Sequence, residues 1–507
     1  MNNGSTYSSD WAWSVNGGSP NISTSDPDQL YVIQGAFVPY GVAGTSRYNL
    51  LTGNVLYGIS LGNNWIPFSS AVSAGTGGGS SRQSRLPEDI LCFNFESASQ
   101  SGYAFYNNNT GLHTGSKRQI FKDLRDFSTN WTIGSGSSGV DITEDYTSPY
   151  TTAAIGQPFS FTAGNAPGTY IGDVSGNPND WFDCGNWESY TVPDSSIDVY
   201  VNASSLSNVR IDVSASSLDR IFNGVATCKN ITIDGKELRL SGDAADSLIV
   251  YGDLTIAATA GSTLDMSDGN AATPDGKLIL NGSWINNAAE TDFKQGNSTV
   301  EFHGTETEIV QIAGTGKEIF HNLIINKPSQ HMYFYDSVRV ENNLYMYGGN
   351  IYSDTGVVEI GNGTGASSTY KGTLTRTDGF IVGAIRRWFD GTNTGNASGL
   401  FPLGFVKAGT LVNRSVLIEY SGAPTTGGSL RLDWENGAMW DSGLFIYGIN
   451  AAGSCDTFTV EHTYDNGYWR IDNDAATLTD GQYKITITGE TIDGITDLCK
   501  LTILRLS

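Results

Sequence analysis

Residues 320–361 decide the fold, and they read FHNLIINKPSQHMYFYDSVRVENNLYMYGGNIYSDTGVVEIG. The stretch contains five short runs in which apolar residues alternate with other residues: 323–325, 332–335, 338–340, 344–347 and 357–360. Such alternation is typical of β-strands, and the Asn, Gly, Asp and Pro residues between the runs are those that form turns. The stretch is therefore predicted to form one short strand after another.

A short sequence motif recurs within this stretch and before it. Each copy has Asn or Asp, then Leu or Ile, then a second inward-facing residue two positions on; the copies lie at 230–233, 253–256, 322–325 and 343–346. The first two copies are 23 residues apart and the last two are 21 apart. A period near twenty that is built of strands predicts a parallel β-solenoid, in which each coil buries its apolar face by stacking on the next. The crossover rule predicts a right-handed one.

An antiparallel meander in a β-sandwich is the competing interpretation of the same short runs. Antiparallel neighbours favour tight Asn-Gly or Asp-Gly hairpins. Most of the runs are not separated by such dipeptides. The pattern therefore favours the solenoid for the central part of the chain.

The 507 residues are too many for one compact core, and about three domains are expected. Glycine is abundant (62 residues), aromatic residues make up 11% and charged residues only 16%, which indicates an all-β extracellular protein with ample burial. We predict an N-terminal β-sandwich module at 1–165, a central right-handed solenoid at 166–375 and a C-terminal antiparallel β-sandwich at 376–507. The best helix candidate, 119–127, has about two turns.

The net charge of −24 argues against nucleic acid and anionic lipid as partners, because both require a basic surface. No apolar run is long enough to span a membrane. The first twenty residues are polar and do not resemble a signal peptide. With the extracellular composition, this leads us to expect a mature or truncated piece of a larger secreted protein.

The five cysteines fall into two equally spaced pairs and a remainder. Cys184 and Cys228 are 44 residues apart, Cys455 and Cys499 are also 44 apart, and Cys92 is left over. Two local disulfides are one interpretation of this spacing, and five buried thiols are the alternative. A zinc site is disfavoured because no two cysteines lie at the short spacing that such sites use.

The most specific motif is DWFDCGNW at 180–187, followed by VP at 192–193, DVYV at 198–201 and CKNITI at 228–233. It resembles the opening of β-helical regions in proteins that Bacteroidota export through the type IX secretion system. The resemblance supports pairing of Cys184 with Cys228. Trp181, Phe182 and Trp187 would then plug the open end of the solenoid, whose strand edges need covering. An aromatic platform for sugar rings is the alternative role.

Two further stretches resemble modules of the same secreted proteins. DQLYVIQG at 28–35, LP at 86–87 and NWT at 130–132 are similar to a β-sandwich module of the lamin-tail-like kind, although Pro27 replaces the usual glycine. GFIVG at 379–383, FPLG at 401–404 and YWRI at 468–471 are similar to the unit that follows such solenoids. The resemblance implies a cell-surface adhesion or structural protein whose further domains, including a sorting domain, lie elsewhere.

Two groups of aspartates are the candidate metal ligands: Asp265, Asp268 and Asp275, and Asp472, Asp474 and Asp480. Turn capping explains both groups, because Asp binds its own backbone at bends. Calcium is a weaker interpretation, since neither group has EF-hand spacing. A glycosidase or lyase would need a carboxylate pair or a base beside a neutralising group, and no such set is identified. No catalytic residue is assigned, and no cofactor is expected apart from this possible Ca²⁺.

The expected partners are glycans or proteins at the cell surface, together with the secretion machinery during export. A polysaccharide-binding or polysaccharide-degrading β-helix is the alternative function. The residues on the outer faces of the solenoid would distinguish sugar binding, hydrolysis and a structural role. An exposed row of aromatic residues favours sugar binding, a carboxylate pair facing a groove favours hydrolysis, and a smooth polar surface favours a structural role.

Overall fold

The structure is a computed structural model of the whole chain. The residues that it describes are 28–39, 48–61, 94–96, 103–106, 114–125, 131–134, 160–174, 176–212, 225–240, 246–267, 274–305, 307–312, 316–363, 371–391, 399–424, 426–436, 445–449, 455–459, 467–473 and 482–490. The chain divides into two units, one formed by Met1–Ala166 with Trp187–Val192 and the other by Pro167–Asn186 with Pro193–Ser507.

The described part of the N-terminal unit contains two long strands, five shorter ones and one α-helix. Its elements are β1 Asp28–Pro39, β2 Tyr48–Leu61, β3 Asn94–Glu96, β4 Tyr103–Tyr106, β5 Thr114–Gly115, α1 Lys117–Arg125, β6 Trp131–Gly134 and β7 Ser160–Phe161. The pairs β1–β2 and β4–β6 are antiparallel, whereas β2–β3 and β5–β7 are parallel. Helix α1 begins after Ser116, whose hydroxyl accepts a hydrogen bond from the Gln119 backbone N–H at 3.1 Å.

The second unit begins with many short strands. They are β8 Gly168–Thr169, β9 Val199–Asn202, β10 Val209–Ile211, β11 Val225–Cys228, β12 Ile231–Asp234, β13 Glu237–Leu240, β14 Ser247–Val250, β15 Leu254–Ile256, β16 Thr263–Asp265, β17 Lys277–Leu280, β18 Trp284–Asn286, β19 Phe293–Lys294, β20 Thr299–His303, β21 Glu308–Ile312, β22 Lys317–Phe334, β23 Ser337–Ile360, β24 Thr373–Arg376 and β25 Ile381–Phe389.

These strands form three parallel sheets, because strands that lie one coil apart pair with each other. Sheet 1 contains β8, β9, β12, β15, β18 and β21, then 332–334 of β22, 350–353 of β23 and 381–382 of β25. Sheet 2 contains β10, β13, β16 and β19, and segments 317–320, 337–340, 357–360 and 384–387 take this position in later coils. Sheet 3 contains β11, β14, β17 and β20, then 322–326, 343–346 and β24. Parallel stacking of this kind is the arrangement of a β-solenoid.

The recurring sequence motif marks successive coils, but its copies lie on two different sheets. Ile231 pairs with Leu254 on sheet 1, and Leu323 pairs with Leu344 on sheet 3. The spacing of the four copies therefore gives the coil length, although the copies do not all lie on the same sheet. Inward positions are filled mainly by Leu, Ile, Val and Phe, and burial alternates along each strand, as in β17 and β14. This alternation is the strand periodicity that the sequence predicts.

The chain after the coils is antiparallel. Its strands are β26 Leu400–Phe401, β27 Gly404–Lys407, β28 Thr410–Asn413, β29 Val416–Gly422, β30 Gly428–Glu435, β31 Phe445–Ile449, β32 Cys455–Thr459, β33 Tyr468–Asp472 and β34 Gln482–Ile487. Strand β25 pairs in parallel with β23 and antiparallel with β30, so the two regions share one sheet. The predicted boundary between 375 and 376 falls inside this unit.

Cysteine pairing is the point at which the structure corrects the sequence analysis. Cys228 carries a free, fully buried thiol, so the predicted bond between Cys184 and Cys228 is wrong. Cys228 is the last inward residue of β11 and pairs in register with Val250 of β14, where it acts as a small core residue. The side chains of the other predicted pair, Cys455 and Cys499, lie outside the described residues.

Burial raises the pKa of the Cys228 thiol, so it should resist alkylation in the folded protein. We expect iodoacetamide in mildly alkaline buffer to leave Cys228 unmodified until denaturant is added, as measured by peptide mass spectrometry. Recovery of a peptide in which Cys228 is crosslinked to Cys184 would contradict this assignment. Modification of Cys228 at the rate of an exposed thiol would contradict it as well.

Candidate functional site

The outer surface of sheet 1 combines the features that bear most directly on function. At its first coils, one column of outward residues contains Tyr200, Thr232 and Thr255, which pair with one another in register. At its last coils, a second column contains Tyr333 and Tyr352, which also pair in register. Strands on neighbouring coils are separated by about 4.8 Å, so coils from β9 to 350–353 extend over about 29 Å.

A cluster of aromatic side chains occupies the later coils; we call His331, Tyr333, Tyr335 and Tyr352 the tyrosine strip. The rings of Tyr333 and Tyr352 are stacked, with centroids 5.2 Å apart and an interplanar angle of 24°. Tyr333 and Tyr335 are also nearly parallel, with centroids 6.5 Å apart. His331 packs edge-on against Tyr352 at 5.0 Å. Tyr335 is 49% exposed, so the strip presents aromatic surface to solvent.

The position of the strip follows from strand periodicity. Met332 and Phe334 are fully buried in the interior, and the residues on either side of them therefore point outward. Because 332–334 and 350–353 are parallel and in register, Tyr333 and Tyr352 lie directly beside each other. Desolvation raises the pKa of Tyr352, and the neighbouring Tyr333 raises it further, so the Tyr352 hydroxyl is a neutral hydrogen-bonding group at physiological pH.

A shallow open groove lies on the same sheet at β9, β12 and β15; we call it the polar groove. It is lined by Asp198, Val199, Tyr200, Asn230, Ile231, Thr232, Asp253 and Thr255, and its volume is about 250 Å³. Within the described part of the chain, the hydroxyl groups of Tyr200, Thr232 and Thr255 have no hydrogen-bond partner. They are therefore available to a ligand.

A chain of hydrogen bonds connects the groove to the strip, coil by coil. Asn230 donates through Nδ2 to Asp198 at 2.7 Å and accepts from the Asp253 backbone N–H at 2.8 Å. Asp253 accepts from the Ser283 backbone N–H at 2.7 Å, and Ser283 Oγ accepts from the Ile309 N–H at 3.2 Å. Ile309 pairs in register with Tyr333. The groove and the strip therefore share one surface that is held rigidly from coil to coil.

The predicted end-cap residues are buried. Trp181 and Phe182 belong to the second unit, where Asp180 forms a bridge with Arg210 of β10, the first strand of sheet 2. Trp187 belongs to the N-terminal unit, where its carbonyl accepts a hydrogen bond from Arg118 at 2.6 Å. Because these rings are buried, they do not provide a sugar platform.

The candidate calcium ligands that the structure describes hold turns and ion pairs. Asp265 accepts from the backbone and hydroxyl of Ser267 at 2.9 and 2.7 Å and pairs with Lys294 at 3.3 Å. Asp275 accepts from the backbone of Asn297, and Asp472 pairs with Arg470 at 2.7 Å. Among the described residues, no group of three or more His, Cys, Asp or Glu side chains is placed to hold a metal. Three candidates lie outside those residues: Asp268, Asp474 and Asp480.

An exposed row of aromatic residues was expected to favour sugar binding, but the residues that form it were not identified from the sequence. The signal was present, because YFY at 333–335 places two tyrosines on the face opposite Phe334. Adding Tyr352 required the register between β22 and β23, which contains irregularities near residues 320, 325 and 326–331. The polar groove could not be recognised in the sequence, since its residues come from three coils and are of types that commonly form turns.

In the part of the chain that the structure describes, no helix has the length and apolar character needed to cross a bilayer. Comparison of the chain with protein-family models, curated proteins and solved structures finds no match.

Proposed function

We propose that this chain is part of an extracellular adhesion protein that binds glycans on the outer surface of sheet 1. The tyrosine strip is the observation that carries the proposal. Aromatic faces pack against the apolar faces of sugar rings, while phenol hydroxyls hydrogen-bond to sugar hydroxyls. A rigid parallel sheet holds these groups at fixed spacing, so little conformational entropy is lost on binding.

An adhesive role is favoured over a catalytic one by the carboxylates of this surface. Asp198 and Asp253 accept hydrogen bonds from Asn230 and from the Ser283 backbone, respectively, which fixes them as structural groups. A glycosidase requires one carboxyl group with a raised pKa beside a second carboxylate. Hydrolysis is nevertheless an outcome that the test below detects.

Export and architecture belong to the same proposal. The motifs at 180–187 and 228–233 resemble those of type IX-exported surface proteins of Bacteroidota, which supports a cell-surface location and passage through that machinery. We infer a right-handed solenoid that is preceded by one sandwich module in the chain and followed by another. The crossover rule supports the handedness.

The first test is incubation of the purified chain with insoluble and immobilised polysaccharides from algae, plants and bacteria. Depletion of the protein and release of reducing or unsaturated ends are followed together. Depletion without new ends is the expected result. Release of new ends would show that the protein degrades the polysaccharide. If neither effect occurs with any polymer, the proposal of glycan binding is wrong and the chain is a structural spacer.

The tyrosine strip gives a specific mutational prediction. Replacing Tyr333, Tyr335 and Tyr352 together with Ala should weaken retention of the bound polysaccharide at least about tenfold, because roughly 1.4 kcal/mol or more of aromatic contact is removed. Affinity electrophoresis in gels containing the polymer measures this change. Circular dichroism and urea unfolding show whether the variant is folded.

Tyr483→Ala is the matched control for that variant. Tyr483 is 50% exposed, close to the exposure of Tyr335, but it lies on β34 in the antiparallel region. It should bind like the unmodified chain. Equal retention of the triple variant and of the control would show that binding occurs elsewhere.

A further inference from the structure

We infer that the glycan is a neutral linear polysaccharide that lies along the coil axis and occupies both the tyrosine strip and the polar groove. This inference rests on the proposed function and adds a second subsite, a direction and a charge class to it. The groove is thereby assigned as a binding site for sugar hydroxyls, separate from the aromatic contacts of the strip.

The direction follows from the register of sheet 1. Tyr200, Thr232, Thr255 and Ile285 succeed one another in one outward column. Ile309, Tyr333, Tyr352 and Val382 succeed one another in the neighbouring column. The two columns share one face of one sheet and both follow the coil axis. A ligand that touches both ends must extend over roughly 20–30 Å, which only a chain of several sugars can do.

The chemistry of the two ends is complementary. The strip offers ring faces, and the groove offers the hydroxyl groups of Tyr200, Thr232 and Thr255 with no protein partner among the described residues. Hydroxyl groups both donate and accept hydrogen bonds, which matches the hydroxyls of a sugar ring. Ser283, Ile285 and Ile309 lie between the ends and are only partly exposed, so a chain can pass over them.

The charges of the surface define the ligand class. Asp198 and Asp253 line the groove, and Asp253 is exposed. Lys229 is 3.8 Å from Asp198, and about half of each side chain is exposed to solvent, so this pair does not neutralise the groove. The whole chain carries a net charge of −24. A uronate or sulfated polymer would be repelled, whereas a neutral one would not.

The test removes the two threonine hydroxyls of the groove without changing the shape of the surface. The Thr232→Val, Thr255→Val double variant keeps two β-branched residues on their strands and loses two hydroxyl groups that would hydrogen-bond to the sugar. Thr375→Val is the matched control, since Thr375 is an exposed outward residue of sheet 3. The probe is whichever of three linear neutral polymers is retained most strongly: β-1,4-mannan, β-1,3-glucan or mixed-linkage β-glucan. It is supplied as a size series from the disaccharide to the polymer and as a carboxymethylated polymer.

We expect affinity to rise with chain length until both ends are covered. The double variant should weaken binding of the polymer about tenfold and leave binding of the shortest retained oligosaccharide unchanged, whereas Thr375→Val should change neither. The carboxymethylated polymer should bind more weakly, and added salt should reduce that difference.

The outcomes separate the two proposals. If short and long chains bind equally, or the double variant behaves like Thr375→Val, the extended site is wrong and binding at the strip stands. If the carboxymethylated polymer binds as tightly as the neutral one, the charge class is wrong. If no chain of any length is retained, the proposed function itself fails.

Discussion

Replacement of Glu359 with Gln is expected to destabilise the protein by about 3 kcal/mol, the lower end of the range for breaking a buried ion pair, because it leaves three part-buried cations without their anion. Glu359 lies on the outer side of sheet 2 and is only 2% exposed. Its carboxylate pairs with Lys317 and Arg339 at 3.1 Å and with Arg386 at 3.5 Å. The Trp388 indole N–H donates to it at 2.8 Å. These partners come from three coils, so the cluster ties the coils together.

The pH dependence of this variant has a defined sign. Burial alone would raise the pKa of Glu359, but the hydrogen bond from Trp388 and the positive charge of Arg339 and Lys317 outweigh it and hold the pKa below 4.5. The stabilisation is therefore complete above the unfolded-state pKa and is lost as the pH falls through the folded-state pKa. The difference in unfolding free energy between the two proteins should shrink in acid.

Urea unfolding of the two proteins at several pH values measures both effects. Glu419→Gln is the control, because the Lys484–Glu419 pair is exposed and should contribute less than about 1 kcal/mol. A cost for Glu359→Gln no larger than that of the control would show that the cluster does not stabilise the coils.

Glu318 should make the protein lose stability as the pH rises. Its side chain points into the interior, is fully buried, and accepts hydrogen bonds through Oε2 from Trp284 Nε1 at 2.8 Å and Asn286 Nδ2 at 3.1 Å. Its Oε1 has no hydrogen-bond partner within the described residues. Burial raises the pKa of Glu318 to about 7, and the two side-chain hydrogen bonds only partly oppose that effect.

The sign follows from proton binding. Between the unfolded-state pKa of 4.5 and the folded-state pKa of about 7, the folded protein keeps a proton that the unfolded chain has released. Stability therefore falls with rising pH across this window, by about 3 kcal/mol in total, and is constant above it with respect to this group. Glu318→Gln keeps an acceptor for Trp284 and cannot ionise, so it should remove this decline.

The measurement is the slope of unfolding free energy against pH for wild type, Glu318→Gln and the exposed control Glu419→Gln. The slope is more diagnostic than the absolute stability, because the Gln amide introduces a pH-independent cost at the site of Oε1. Identical slopes for wild type and Glu318→Gln would mean that Glu318 ionises normally in the folded protein.

The coil period was predictable from sequence, whereas the course of the backbone was not. Ile231 with Leu254 and Leu323 with Leu344 are true neighbours, because identical positions of successive coils must both fill the core. Strands β22 and β23 nevertheless continue through corners where separate short strands were predicted. At such corners the chain bends, as at Gly349 with φ of 94°, and the register between the two strands shifts there, so one continuous strand passes from one sheet to the next.

The polar interior and the candidate site depend on neighbours one coil away, which is why sequence alone did not reveal them. Glu318 occupies an inward position that the alternation assigns to an apolar residue, and its partners Trp284 and Asn286 precede it by 34 and 32 residues. Insertions change the coil length: Leu254 pairs with Trp284, 30 residues later, whereas Met332 pairs with Ile351, 19 residues later. Only the actual register places Tyr352 beside Tyr333.

The most direct measurement is nitration of exposed tyrosines by tetranitromethane, with and without the retained polysaccharide, read by peptide mass spectrometry. Bound polymer is predicted to protect Tyr335 and its neighbours Tyr333 and Tyr352, while Tyr483 continues to react at its unprotected rate. Unchanged nitration of the tyrosine strip in the presence of saturating polymer would contradict glycan binding on the outer surface of sheet 1.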